Sequence, residues 1–231
     1  GTAPLAWSVA TGTLPPGLTL SSAGALSGTP TQAGTFSFEV KSQDAVGSNA
    51  TKALSVTIAA TLSIDTGSLP GSTQGTPYSK ALSISGGTAP VTWTVASGAL
   101  PAGLTIAAGG QITGTATTSG EARFVVKATD AAGAVATRDL SLLVAPRMLF
   151  ASPRSLKAKV GKRFTHRLRI TGGIRPFIIS RSAGSLPPGL RLSGGTISGR
   201  PLRKGTFRLT VFVTDGAGAT LSMRITIAVK R

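Results

Sequence analysis

The chain reads as all-β: three tandem antiparallel β-sandwiches joined end to end. Three observations predict this. A pentapeptide returns every 86 residues, as Leu14-Pro15-Pro16-Gly17-Leu18, Leu100-Pro101-Ala102-Gly103-Leu104 and Leu186-Pro187-Pro188-Gly189-Leu190. Between its copies the apolar residues alternate with period two, the mark of strands with one face in a core. No helical period is sustained, and 30 Gly with 14 Pro would interrupt any helix. An internal repeat sets the architecture ahead of any local reading, so the chain divides into residues 1–59, 60–145 and 146–231.

The flanks obey the same interval. Gly1-Thr2-Ala3-Pro4 is answered by Gly87-Thr88-Ala89-Pro90 and, more loosely, by Gly173-Ile174-Arg175-Pro176. Trp7 and Trp93 are matched by Ile179, and Val9 and Val95 by Arg181. Asp44, Asp130 and Asp215 each open an Asp-x-x-Gly turn, the last one position early because a residue is deleted between Leu192 and Gly199. Two alternating runs close each repeat. They are Phe36-Phe38-Val40 with Leu54-Val56-Ile58, then Phe124-Val126 with Leu140-Leu142-Val144, then Phe207-Leu209-Val211-Val213 with Ile225-Ile227-Val229. The second and third repeats add early strands around Tyr78-Lys80-Leu82-Ile84 and Phe164-His166-Leu168-Ile170. Nothing comparable precedes Gly1, so the first repeat lacks its first two strands. Upstream repeats of one longer polypeptide would supply them, a neighbouring chain would donate them in a filament, or the first repeat is simply frayed; the open edge is a route to self-association.

The turns have mechanical explanations. Proline pre-sets φ and glycine supplies a positive φ, so the Leu-Pro-x-Gly-Leu segment reverses while both leucines point inward. Each turn aspartate accepts hydrogen bonds from amides two residues on, and one carboxylate per loop falls far short of the six to eight oxygens calcium needs. The joints around Ala59-Ala60-Thr61 and Ala145-Pro146-Arg147 are brief, which favours an elongated, semi-rigid rod.

The residue inventory argues against an enzyme. There is no Cys, one His and seven acids, and the acids show no repeated pairing. His166 alternates with Phe164, Leu168 and Ile170 and so points toward the core, away from any Ser-His-Asp arrangement. No His/Cys cluster could hold zinc, and Gly86-Gly87 and Gly109-Gly110 precede no helix that could cradle a phosphate. No cofactor is expected, no apolar run reaches membrane-spanning length, and without Cys the sandwiches are held by packing alone.

Taken together, Gly-Gly-x-x-Pro, x-Trp-x-Val, Leu-Pro-Pro-Gly-Leu, Leu-Ser-Gly-Thr-Pro, Ala-Gly-Thr-Phe and Val-x-x-x-Asp-x-x-Gly resemble the immunoglobulin-like (He_PIG, cadherin-like) repeats of large bacterial surface and secreted proteins. The resemblance covers essentially the whole chain. It implies tandem immunoglobulin-like sandwiches serving as an extracellular or cell-surface spacer or adhesive module, and it brings no catalytic or metal-binding residues with it.

Charge separates the repeats. Residues 146–231 hold 18 Lys and Arg against one acid, Asp215, whereas residues 1–145 hold six of each sign. Thirteen of the 18 are Arg, which can fork onto phosphate or carboxylate. The expected partner is therefore anionic polysaccharide, lipopolysaccharide or an acidic protein surface. Candidate contact residues are Lys157, Lys159, Lys162, Arg163, Arg167, Arg169, Arg200, Arg203, Lys204, Arg208 and Arg224. With no recognition helix and few outward aromatics, Phe212 foremost, sequence-specific nucleic-acid reading is not expected. The preferred reading is a non-catalytic structural or adhesive segment of a bacterial surface fibre. The alternative is a glycan-binding accessory module of a secreted enzyme or phage fibre; aromatics at 5% of residues, with both Trp at core-like positions, weigh against it.

Overall fold

In the computed structural model, which describes residues 1–231, the alternating runs become the long strands of each repeat. The first repeat holds β1 (Ala6–Gly12), β2 (Leu18–Leu20), β3 (Leu26–Gly28), β4 (Gly34–Gln43) and β5 (Asn49–Ile58). The second holds β6 (Ser63–Ile64), β7 (Ser72–Thr73), β8 (Pro77–Ala81), β9 (Ile84–Ser85), β10 (Thr92–Gly98), β11 (Leu104–Ile106), β12 (Gln111–Thr115), β13 (Gly120–Thr129) and β14 (Val135–Ala145). The third repeats that order as β15 (Leu149–Phe150), β16 (Ser155–Lys159), β17 (Phe164–Arg167), β18 (Ile170–Thr171), β19 (Ile178–Gly184), β20 (Leu190–Ser193), β21 (Thr196–Gly199), β22 (Gly205–Thr214) and β23 (Thr220–Lys230).

By contacts the chain forms two compact units, and the division runs through the second repeat. One unit comprises Gly1–Asp65, Ser83–Thr92 and Ala128–Thr137; the other comprises Thr66–Leu82, Trp93–Lys127 and Arg138–Arg231. In the first unit β1-β4-β5 form an antiparallel sheet, with β2 paired to β3 and β6 to β9. Here β5 is an edge strand, and Leu54 on it is 40% exposed, whereas its repeat counterparts Leu140 and Ile225 are 4% and 0% exposed.

The second unit shows what a complete repeat adds. In the third repeat the sheet order β16-β23-β22-β19 faces β17-β21-β20, and the side chains between them include Ile197, Leu209, Val211, Ile225, Ile227 and Val229. Alternation along β22 and β23 places one side of each strand in that core and the other outward. The sandwich is not wholly antiparallel: β16 runs parallel to β23, as β7 does to β14. A period-two pattern carries no information on strand direction, so this pairing was invisible to it. The early run seen in the second and third repeats is in fact split. Around Leu168 and Arg169 the chain leaves β17, which pairs with β21, and enters β18, which pairs with β15.

The recurrent turns are built alike in every repeat. Leu18, Leu104 and Leu190 donate their amides to the carbonyls of Pro15, Pro101 and Pro187, each at 3.0 Å. The first proline is the buried anchor in all three copies, while the leucines range from buried to half-buried. A Cβ on Gly17, Gly103 or Gly189, all at positive φ, would strike a carbonyl oxygen at about 2.1 Å or less, so glycine there serves close approach as well as chain reversal.

The turn aspartates do more than close a local loop. Asp215 accepts from the Ala217 and Ala219 amides at 2.9 and 2.8 Å, and its other oxygen accepts from the distant Ile174 amide at 2.9 Å. That oxygen also receives the Thr73 hydroxyl of the second repeat at 2.5 Å, between residues that are both buried. Asp130 and Asp44 make the equivalent amide contacts, with Thr88 and Thr2 as the distant donors. In Asp44 and Asp130 those distant amides lead in lowering the carboxyl pKa. For Asp215 burial pushes the pKa up, but the Thr73 hydroxyl and the three amides outweigh it and hold the carboxyl below its ordinary 3.8. His166 faces inward from β17, half-buried, with a buried Nε2 that has no hydrogen-bond partner. Burial, and secondarily the Arg169 charge, lowers its pKa below 6.5.

Two outcomes are expected. Asp215→Ala leaves buried donors unpaired and should destabilise the third repeat by about 2–4 kcal/mol, read as faster hydrogen exchange across β22 and β23. Because the folded carboxyl titrates below 3.8, the contribution of Asp215 is present above that pH and is lost as pH falls through the folded value. His166 acts with the same sign, at higher pH. Its folded form resists protonation, so melting temperature should fall as pH drops from 7 through 6.5 toward 5, and His166→Leu should flatten that slope. An unchanged slope in the variant would overturn the assignment.

Candidate basic surface of the third repeat

The eleven cationic positions singled out in the sequence divide into three groups. Along β17 and beyond it, Phe164, His166 and Leu168 turn inward, which leaves Thr165, Arg167 and Arg169 outward. The register Thr165↔Ser198↔Arg191 then brings β20 alongside, so Arg163, Arg191 and Arg200 line an open shelf of about 530 Å³ on the outer face of β17-β21-β20. Arg191, which is not among the eleven, lies on β20.

The opposite sheet carries the second group. Lys157 and Lys159 lie on β16 itself, opposite Ala228 and Lys230 of β23. Arg208 pairs with Thr226 and Arg224 with Thr210, so the two arginines are diagonal neighbours on the outward face of β22 and β23. The third group lies in turns. Lys162 follows Gly161, whose amide donates to the Pro201 carbonyl at 2.8 Å, and Arg203 with Lys204 occupy the exposed turn before β22. Two faces of one sandwich point apart, so these groups form separate patches.

No local acid neutralises them. Asp215 is the one carboxylate side chain of the repeat, buried and engaged by four donors. The ion pair present, Arg123 with Glu121 at 3.3 Å, lies in the second repeat and is solvent-exposed, where such pairs contribute little. No three His, Asp or Glu side chains gather in a group suited to a metal ion.

A larger groove of about 970 Å³ opens beside the first patch, between the Arg167–Thr171 segment and the Arg175–Phe177 segment. Leu168, Ile170, Phe177 and Ile179 supply its apolar lining, and Arg167, Arg169 and Arg175 its charge. The Arg175 guanidinium stands over the Phe177 ring at 5.3 Å from the centroid, a cation–π contact that pre-orients it. The peptide bond before Pro176 is cis, as are those before Pro4 and Pro90. Arg175, like Arg191, is not among the eleven candidates read from the sequence. The signal that could have promoted Arg175 was alignment of the repeats, since Ala89 and Ala3 occupy its position. Trp93 is buried and Trp7 half-buried, so Trp93 is not presented as a sugar-stacking platform.

The chain matches the He_PIG family, described as "Putative Ig domain", at residues 1–59, 60–145 and 148–230. Among curated proteins no match is found. Similar solved structures include extracellular domains 3–5 of Drosophila OTK, at 13% identity over 98% of this chain and 85% of that one, with a TM-score of 0.46. The titin I-band fragment I67–I69 is 14% identical over 99% of this chain and 88% of that one, with a TM-score of 0.41. A Bacteroides fragilis protein named "putative alpha-galactosidase" is 25% identical over 36% of this chain, with a TM-score of 0.33, and the match covers 17% of its length. Three consecutive family matches spanning nearly every residue place the chain in the He_PIG family, as a tandem array of immunoglobulin-like domains.

Proposed function

We propose that the chain is a non-catalytic structural and adhesive segment of a larger bacterial surface or extracellular fibre protein, and that its third repeat contacts anionic envelope polysaccharide. One observation carries this reading. The same scaffold occurs with no net charge in residues 1–145 and with 18 cations against one buried acid in residues 146–231. A basic surface that the fold does not require is an addition for a partner or a place. Cations without ion-pair partners are free to meet carboxylates or phosphates, and the spread over two faces suits a polymer mesh better than one complementary protein surface. The exposed apolar side of β5 offers further chain, whether of the same polypeptide or of another copy, an edge to pair with.

The test is binding of the full chain to purified anionic polysaccharide and to lipopolysaccharide as salt rises. Affinity should fall by at least about 100-fold between roughly 0.05 and 0.5 M salt, with log affinity linear in log salt. Binding indifferent to salt over that range would overturn the electrostatic reading.

A further inference from the structure

The large groove of the third repeat coincides with a change in the size of one residue. In the second repeat Trp93 is 5% exposed and lies against Gly110, where a Cβ would come within 2.6 Å of the indole Nε1. Trp7 lies over Gly24 in the same way, with the corresponding distance 2.9 Å. The third repeat keeps the glycine as Gly195 but sets Ile179 against it, with Cδ1 at 2.7 Å from that notional Cβ. Isoleucine lacks the reach of an indole, and Ile179 with the neighbouring Gly194 lines the groove.

Charge changes around the same opening. Arg167, Arg169 and Arg175 stand where the second repeat has Ala81, Ser83 and Ala89, and Ala151 stands where it has Asp65. These four positions therefore sum to +3 in the third repeat and −1 in the second. Phe177, which supports Arg175, replaces Val91. A diffuse rise in surface charge does not account for an emptied aromatic site, three arginines on its rim and the loss of its acid in one place.

We propose that this groove is a subsite for a uronate residue within an anionic polysaccharide. Its apolar floor suits the C–H face of a pyranose ring, and guanidinium forks beside that floor suit a carboxylate through paired hydrogen bonds. An open groove lets a polymer run past, which an enclosed cavity does not. The proposal rests on the reading that the third repeat meets an anionic polymer, and it narrows that partner to carboxylated sugar.

The experiment is calorimetric titration of the full chain with hexagalacturonate, with its neutral methyl ester and with polyphosphate of matched charge. Hexagalacturonate should bind at one saturable site, and esterification should remove that binding. Ile179→Trp, which restores the residue of the other repeats, should weaken it by about tenfold or more while changing polyphosphate affinity less than about twofold. Arg169→Ser with Arg175→Ala alters only exposed positions and decides the matter if the tryptophan variant misfolds. It should cost hexagalacturonate about tenfold or more and polyphosphate less than about threefold. Hexagalacturonate affinity unaffected by these variants, or no tighter than that of polyphosphate, would overturn the subsite and leave the electrostatic reading standing. Failure of every polyanion to bind would overturn both.

Discussion

One turn carboxylate per repeat, buried in the second and third, ties together segments that local sequence cannot. Asp215 gathers the turn before β23 through Ala217 and Ala219, the segment leading to β19 through Ile174, and the second repeat through Thr73. The bond is mutual, since the Gly216 amide returns to the Ile174 carbonyl at 2.7 Å. A charged acceptor binds its donors more strongly than a neutral one, and burial makes any unpaired donor expensive. Residues 174–177 are held by this anchor, and with them Arg175 and Phe177 on one wall of the groove. The only acid of the most basic repeat is thus spent on architecture and leaves the surface cations unneutralised.

That division of labour explains how the repeats diverge without losing their fold. Inward positions keep apolar residues of similar size: Leu140, Leu142 and Val144 in the second repeat answer to Ile225, Ile227 and Val229 in the third, all nearly inaccessible. Outward positions on the same strands are free to become Arg208, Arg224 or Lys157, because a long cation can extend into water from a pleated face. Exchange of tryptophan for Ile179 departs from the rule of conserved inner size, and it happens where the rim also turned basic. Close packing is normally what binding sites must give up to form a cavity. Here a deep edge position was relaxed while the central layer of Ile197, Val211 and Ile225 stayed fully buried.

Much of the fold was legible in the residues themselves. The 86-residue interval, the two alternating runs of each repeat, the inward His166 and the aspartate turns could all be read directly, because each follows from a period or a short-range hydrogen bond. Less of the candidate site was legible. Alternation showed that Arg167 and Arg208 point outward, but not that they stand on opposite faces of the sandwich. Arg191 was not among the candidates, and its place beside Arg163 and Arg200 depends on the pairing of β20 with β21.

The sequence by itself determined which residues alternate, where the chain reverses and in which third the charge lies, since these depend on neighbours along the chain and on composition. Only the tertiary structure decided that β16 and β7 pair in parallel with the last strands of their repeats, that Thr73 reaches Asp215 across 142 positions, and that three arginines meet an emptied tryptophan site. A period of two states which side of a strand is buried and is silent on which strands are adjacent. Adjacency is settled by the packing of the two sheets against one core, and the groove is a product of adjacency.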